Sequence, residues 1–325
     1  MKAIICKQFG PPSSLMFEDV KSPKPNEKEV LVQVKACGVN FPDTLIIQGL
    51  YQFKPELPFT PGSDIAGVVK EVGSKISHVK PGDEVFGFVT HGGYAEEVAI
   101  PGNSCFLIPK GMKFPVAASF MMAYGTSYYA LKDRGQLKKD DTLVVLGASG
   151  GVGLAAVELG KLMGARVIAV ASSTEKLELC RAYGADVVIN YDTEDLKSRI
   201  KEVTHGKGAN VVFDPVGGRY AEPAIRGLAW EGRYLVVGFA AGTIPKIPLN
   251  LTLLKGSAIV GVFWGSFAMK TPDKNMQNTL ELMKWYTTGK LKPHIHRVYP
   301  LAEAHNALED MMNRKVKGKA VIECS

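Results

Sequence analysis

Up to about residue 120, apolar side chains recur at every second position in short runs that stop at Gly or Pro: "EVLVQVKACGV", "IAGVVKEVG", "GDEVFGFV", "GGYAEEVAI". A period of two punctuated by turn residues predicts antiparallel strands closing into a small barrel or sandwich. No helix longer than a turn or two is expected before residue 114. From Pro115 the pattern changes, because "PVAASFMMAYGTSYYALKDRG" spaces its apolar residues as a helix does, with proline near its start. Strand and helix then alternate: TLVVLGA, a helix over 151–163, RVIAVAS, a helix over 174–183, DVVINY, a helix over 194–204, ANVVFDPVG, a helix around 220–228, and RYLVVGF. Nearly continuous apolar strands separated by helices predict a parallel sheet covered on both faces. After about residue 265 the pattern gives a helix over 275–287, the strand IHRVYP, a helix over 302–312 and the strand KAVIEC. These last elements are expected to return to the first domain. The pattern changes domain at about Pro115, and the domains are placed at 1–123, 124–265 and 266–325, an α/β fold with a doubly wound parallel sheet and a small β-barrel or sandwich.

Composition narrows the function classes. With 325 residues, 46% of them hydrophobic, the chain can bury cores for two domains. The formal charge of +7 comes from lysines interspersed with acids, and the densest basic stretch, NRKVKGK, is short. That argues against nucleic acid as the main partner, and a phosphate-bearing small molecule accounts for the excess equally well. There is no apolar run of the roughly 18 residues that would span a bilayer, and MKAIICKQFG lacks the apolar core of a secretion signal. The expectation is a cytoplasmic protein with no membrane partner. The five cysteines, Cys6, Cys37, Cys105, Cys180 and Cys324, are scattered and never form CxxC, so they are expected to be reduced, mostly buried thiols.

The chemistry concentrates in "LGASGGVGLAAVELGKLMGARVIAVASS", residues 146–173. A buried strand runs into a turn of small residues (Gly147, Ala148, Ser149, Gly150, Gly151, Gly153) and then into a helix. Bare backbone N–H groups at a helix start suit a pyrophosphate, which points to a dinucleotide. The second strand follows at the spacing where the ribose-reading residue sits. NAD sites place Asp or Glu there, and its charge would repel a 2′-phosphate. Here stand Ala171, Ser172 and Ser173, with Lys176 one turn on, a set that favours NADPH. Lys176 equally fits a solvated helix lysine, offset in part by Glu175.

Several stretches together, "NFPDTLIIQGLY", "PFTPGSDIAGVVKEVGSKISHVKPGDEVFG", "GGYAEEVAIP", "AASFMMAYGTSYYAL", "VLGASGGVGLAAVELGKLMGARVIA", "GADVVINY" and "VVFDPVGG", resemble the zinc-independent quinone oxidoreductases of the medium-chain dehydrogenase/reductase superfamily. The resemblance covers essentially the whole chain in the right order. Val144 and Glu158 depart from the family's usual leucine and glutamine, away from where a pyrophosphate would sit. The resemblance implies a GroES-like catalytic domain built from both chain ends, an inserted dinucleotide domain, NADPH and a homodimer. By the same resemblance Asn40, Asp43 and Tyr51 face the nicotinamide end, and Thr126 contacts the cofactor near it. Ser149, Gly150, Gly151, Val152, Gly153, Ser172, Ser173, Lys176 and Tyr191 match the pyrophosphate and adenosine-phosphate contacts. Phe239 and Arg314 match further cofactor positions.

No metal is expected. Where related alcohol dehydrogenases carry zinc ligands, this chain has Asn40 after "CGV" and the "PGSD" of residues 61–64, and the four-cysteine lobe is missing. His294 and His296 in "KPHIHRVYP" would share one face of a strand, but two ligands are too few. Without a Lewis acid, the acceptor should already be electron-poor, a quinone or an activated enone, with Tyr51, Asn40 or a water donating to the oxygen that gains charge. Tyr51 equally fits a rim aromatic, and Asn40 a turn former. NADPH:quinone reduction is the first reading. C=C reduction of an enoyl thioester is the second, since "QGLYQFKPELPFTPGSD" also resembles the enoyl-thioester reductases. A non-enzymatic dinucleotide- or RNA-binding protein is the third.

Overall fold

The structure, a computed structural model, describes residues 1–324. The chain forms two compact units, one made of Met1–Met122 with the chain from Pro293 onward, the other of Ala123–Lys292. The first unit is mainly a seven-stranded sheet. Its central strand, Glu29–Gly38, pairs antiparallel with Asp64–Val72, Glu97–Pro101 and the last strand, Lys319–Glu323. Val30, Val32 and Val34 alternate into the core with essentially no exposure, which is the period of two read from the sequence. Ile295–Pro300 lies parallel beside Lys319–Glu323, so the C-terminal segment does return to this unit. Just past the central strand, Asn40 caps the short helix Phe41–Ile46 in a capping box, with proline in its first turn.

In the second unit six parallel strands lie in the order Val187–Asn190, Arg166–Ala171, Thr142–Leu146, Ala209–Asp214, Leu228–Val236, Ala258–Gly261. Counted along the chain this is 3-2-1-4-5-6, a doubly wound order that reverses between the two central strands, and sheets of this kind take ligands past the C-terminal ends of the strands at such a reversal. Leu143, Val144, Val145 and Leu146 are fully buried, as a strand covered on both faces requires.

Three differences from the sequence reading have physical causes. The second unit runs to Lys292 instead of 265, and Pro293 instead of residue 266 begins the return. The helices Trp264–Lys270 and Pro272–Thr287 belong to it: Phe267 stacks on Tyr129 at 4.1 Å, and Lys132 pairs with Glu281 at 2.8 Å. Glu158 closes the unit, its two oxygens accepting from Tyr124 Oη and Lys292 N, each at 2.7 Å. Second, the stretch after Pro115 is not one regular helix. It breaks at Ala117, and the turns over Met121–Gly125 and Tyr129–Arg134 are wide, π-type turns. The Asp64 carboxylate takes the Met122 N–H, 3.2 Å from each oxygen, drawing it out of a regular helical ladder. Third, the helix expected over 220–228 spans only Ala221–Arg226, because Gly227 ends it and Leu228 already opens the next strand. None of the described helices is long and apolar enough to cross a membrane.

Candidate active site and cofactor cradle

In the first unit a set of buried polar groups gathers at the end of the central strand. The capping box sets its geometry: Asn40 N donates to Asp43 Oδ2 at 2.8 Å. The same oxygen accepts from Tyr94 Oη at 2.9 Å, and Oδ1 lies 3.5 Å from Ser63 Oγ. Gly62 makes room for Tyr94: its backbone is left-handed (φ 91°), and a Cβ there would lie 2.4 Å from the tyrosine ring. Asp64, next along the "PGSD" turn, faces Lys319, whose Nζ lies 3.7 Å from Asp64 Oδ2 and donates to Asn40 Oδ1 at 2.5 Å and Val39 O at 2.9 Å. Asp43 and Asp64 are both 1% exposed and Lys319 5%.

Burial dominates the electrostatics. It pushes the carboxyls of Asp43 and Asp64 up to about 6, while hydrogen bonds and the Lys319 ammonium pull them partly back. Burial lowers Lys319, and the two aspartates resist it. Tyr51 packs half-buried against the core of this unit, and burial, reinforced by the Asp43 charge, raises its phenol and keeps the O–H intact. The five cysteines are free and buried. Desolvation pushes Cys105 and Cys180 up to about 12, leaving them poor nucleophiles.

The cradle in the second unit is built at the sheet's switch point. Gly147 has φ 56°, Ala148 N donates to Val170 O at 3.0 Å, and the helix Gly151–Leu162 starts at once. A Cβ on Gly153 would lie 2.2 Å from Gly147 O, so only glycine lets the helix start this close to the turn. Ser149 is buried, and Ser149, Gly150, Gly151, Val152 and Gly153 form the turn and the first helical residues, whose N–H groups lack intrahelical acceptors. Ser127 Oγ donates to Val152 O at 2.7 Å, fastening this helix start to the short helix Thr126–Tyr128, in which Thr126 is buried. At the end of the second strand, Lys176 Nζ lies 3.3 Å from Ser172 Oγ. Ser173 caps the helix Thr174–Ala182 by accepting from Lys176 N. Tyr191 N donates to Ala171 O at 3.2 Å and its ring lies 4.3 Å from that of Tyr220. Phe239 sits over the left-handed Gly217, where a Cβ would meet its ring at 2.8 Å.

The structure thus groups Asn40 and Asp43 in the first unit, and sets the glycine turn beside the strand end that leads to Ser172, Ser173, Lys176 and Tyr191 in the second. Arg314 lies in the first unit, exposed, on a left-handed residue (φ 57°) after the helix Ala304–Met312. Sequence reasoning missed Ser63, Tyr94 and Lys319. A lysine and an aspartate opening otherwise apolar strands, "KAVIE" and "DIAGVV", were the available signal.

These features define a two-domain oxidoreductase with a GroES-like and a Rossmann-type part. The sequence matches the alcohol dehydrogenase GroES-like domain over residues 26–110 and the zinc-binding dehydrogenase family over residues 151–285. It is 39% identical over 99% of its length to a quinone oxidoreductase-like protein 2 homolog of Nematostella vectensis, covering 88% of that protein. It is 35% identical to the quinone oxidoreductase of Rattus norvegicus, with 99% and 97% of the two chains covered. Among solved structures, the Escherichia coli quinone oxidoreductase complexed with NADPH is similar at a TM-score of 0.93 and 30% identity, over 99% and 100% of the chains. The CurK enoyl reductase is similar at 0.91 and 26%, over 100% and 99%. The chain belongs to the quinone oxidoreductase family of the medium-chain dehydrogenase/reductase superfamily.

One matching family name carries zinc, but the residues here do not fit it. The oxygens of Asn40 and Asp64 are turned to an ammonium, and among the described residues no three His, Cys, Asp or Glu side chains stand together as ligands. His294 falls just before the strand Ile295–Pro300 and His296 within it.

Proposed function

We propose that this oxidoreductase uses NADPH to reduce a quinone without help from a metal. The observation that carries the cofactor reading is the Lys176–Ser172 pair at the end of the second strand, a cation and a hydroxyl where an NAD site has a carboxylate. The glycine turn fits a pyrophosphate, since the Cβ that would fill the close approach at Gly153 is absent. Ser149 to Gly153 would hold the pyrophosphate, and Ser172, Ser173, Lys176 and Tyr191 the adenosine phosphate. Thr126, Phe239 and Arg314 are assigned to the cofactor on family resemblance. NADPH, when bound, supplies the hydride from C4 of its nicotinamide.

The chain's own residues do the rest. A quinone that receives a hydride also takes one proton. Tyr51, kept protonated by burial and by the Asp43 charge, can donate to the oxygen that gains negative charge. Asn40 offers a second donor in its side-chain amide, and Asp43 orients Asn40 through the capping box. The protonated Tyr51 also favours a second acceptor class, the C=C bond of an enoyl thioester, which needs a proton donor after hydride arrival. A homodimer is proposed through the edge strand Ala258–Gly261, where Ile259 and the nearby Phe263 expose apolar surface. NADPH oxidation with 1,4-benzoquinone, 9,10-phenanthrenequinone and crotonyl-CoA side by side tests the acceptor. Faster turnover of the quinones is expected, and turnover of crotonyl-CoA alone would reverse the order of the two readings.

A further inference from the structure

Asp214 is the last residue of the strand Ala209–Asp214 in the second unit and is 1% exposed. Its Oδ1 accepts from Val216 N at 2.6 Å and Gly217 N at 2.8 Å, and its Oδ2 accepts from Tyr234 Oη on the neighbouring strand. Its main-chain oxygen accepts from Val237 N at 2.9 Å and Gly238 N at 3.3 Å. One buried residue thus gathers the loops that follow two adjacent strands. The loops also bond to each other, Ala240 N to Pro215 O at 3.0 Å and Ala241 N to Val216 O at 2.9 Å, but those bonds hold loop to loop. The N–H groups of Val216 and Gly217 have no acceptor among the described residues other than the Asp214 carboxylate.

The loop so held leans on the glycine turn. A Cβ on Gly147 would lie 2.8 Å from Val216 Cγ2 and 3.6 Å from Pro215 Cγ. Gly147 follows the strand Thr142–Leu146, which pairs with Ala209–Asp214 where the strand order reverses, so Val216 meets Gly147 at the place where such a sheet takes its ligand. Each half of a doubly wound sheet serves one mononucleotide. Ser172 and Tyr191 stand at the ends of the strands on one side of the reversal, and the loop 215–218 stands on the other. We propose that Asp214 is a positioning residue for the cofactor: its carboxylate holds residues 215–218 against the glycine turn, and the loop so placed sets the seat of the nicotinamide half of the dinucleotide and not that of the adenosine half. This rests on the reading above in which the glycine turn seats the pyrophosphate. A carboxylate suits the task, because one oxygen takes two N–H groups while the other takes the tyrosine O–H.

The test compares NADPH with 2′-phospho-ADP-ribose, which lacks the nicotinamide, by calorimetric titration of the parent, Asp214→Ala, Asp214→Asn and Val216→Ala, with thermal melting as the check on folding. Alanine leaves two N–H groups without an acceptor, so Asp214→Ala should weaken NADPH about tenfold or more and 2′-phospho-ADP-ribose by no more than about twofold. Asparagine can accept both N–H groups on its oxygen and turn its NH2 to the tyrosine oxygen, so Asp214→Asn should recover most of the NADPH affinity. Equal losses for the two ligands would make Asp214 a general support of the unit and overturn the proposal, as would parental NADPH affinity in Asp214→Ala or an Asp214→Asn variant as impaired as Asp214→Ala. Should Asp214→Ala fail to fold, Val216→Ala decides, since it keeps the main-chain hydrogen bonds and withdraws the contact on Gly147: NADPH weakened about threefold or more with the fragment retained is expected, and parental NADPH affinity would contradict the proposal. Failure of the parent to bind either ligand would instead remove the pyrophosphate reading and this inference with it.

Discussion

Lys176 and Ser172 give the cofactor preference a single point of attack. Charge-assisted hydrogen bonds to a phosphate are each worth about 1.5–3 kcal/mol, so Lys176→Ala should weaken NADPH by about tenfold to a hundredfold and leave NADH nearly unchanged. Fluorescence titration of both nucleotides checks this, and equal losses would remove the assignment. Tyr51→Phe keeps the packed ring and deletes the proton, so kcat should fall about tenfold or more at little change in KM. An unchanged kcat would return Tyr51 to a lining role. At this scale the sequence was informative where chemistry follows from local spacing, as in the turn and in Ser172 with Lys176. It was uninformative where partners lie far apart along the chain. Lys319 sits in NRKVKGK, which reads as a solvated basic stretch, yet it reaches Asn40 across the sheet because the last strand pairs with the strand ending at Gly38.

Among the elements, the proposed seat of the cofactor's pyrophosphate is the junction of the strand Thr142–Leu146 with the helix Gly151–Leu162. Gly153→Val would press a side chain against the Gly147 carbonyl, whose oxygen would stand 2.2 Å from the new Cβ, pushing the helix start off the turn. NADPH binding should be lost while far-UV circular dichroism stays near that of the parent, and retained micromolar affinity would show that the turn does not seat the pyrophosphate. The first five strands of the dinucleotide unit and the helices between them were legible because periods of 2 and 3.6 differ plainly over such lengths, whereas the sixth strand, Ala258–Gly261, is only four residues long and was not expected. The stretch after Pro115 was not legible, since a carboxylate about sixty residues upstream, Asp64, competes for the Met122 amide. Trp264–Lys270 escaped notice because seven residues carry too little periodicity to stand out, and its partners Tyr129 and Asn275 lie outside it.

For the molecule as a whole, two properties follow from burial and exposure. Asp43 and Asp64, pushed up to about 6, favour their protonated forms in the folded chain relative to the unfolded one, where the value is about 3.9. Their stabilising share is complete below the unfolded value and is lost as pH rises through about 6. The groups facing them are Lys319, Tyr94 and the thiol of Cys37, itself raised by burial, so only the two carboxyls and the lysine bring charge. Urea unfolding of the parent should therefore show a steeper loss of stability between about pH 4 and 7 than the variant with Asp64→Asn and Lys319→Met. Identical slopes would show that the cluster is not the source. If two copies join along the edge strand Ala258–Gly261, Ile259→Lys should give monomers by light scattering, and an unchanged mass would place any interface elsewhere. The most direct test of the central claim is the ratio of kcat/KM for NADPH to that for NADH with 1,4-benzoquinone as acceptor. The account predicts quinone turnover with a preference for NADPH of about tenfold or more; no turnover, or equal use of the two nucleotides, would contradict it.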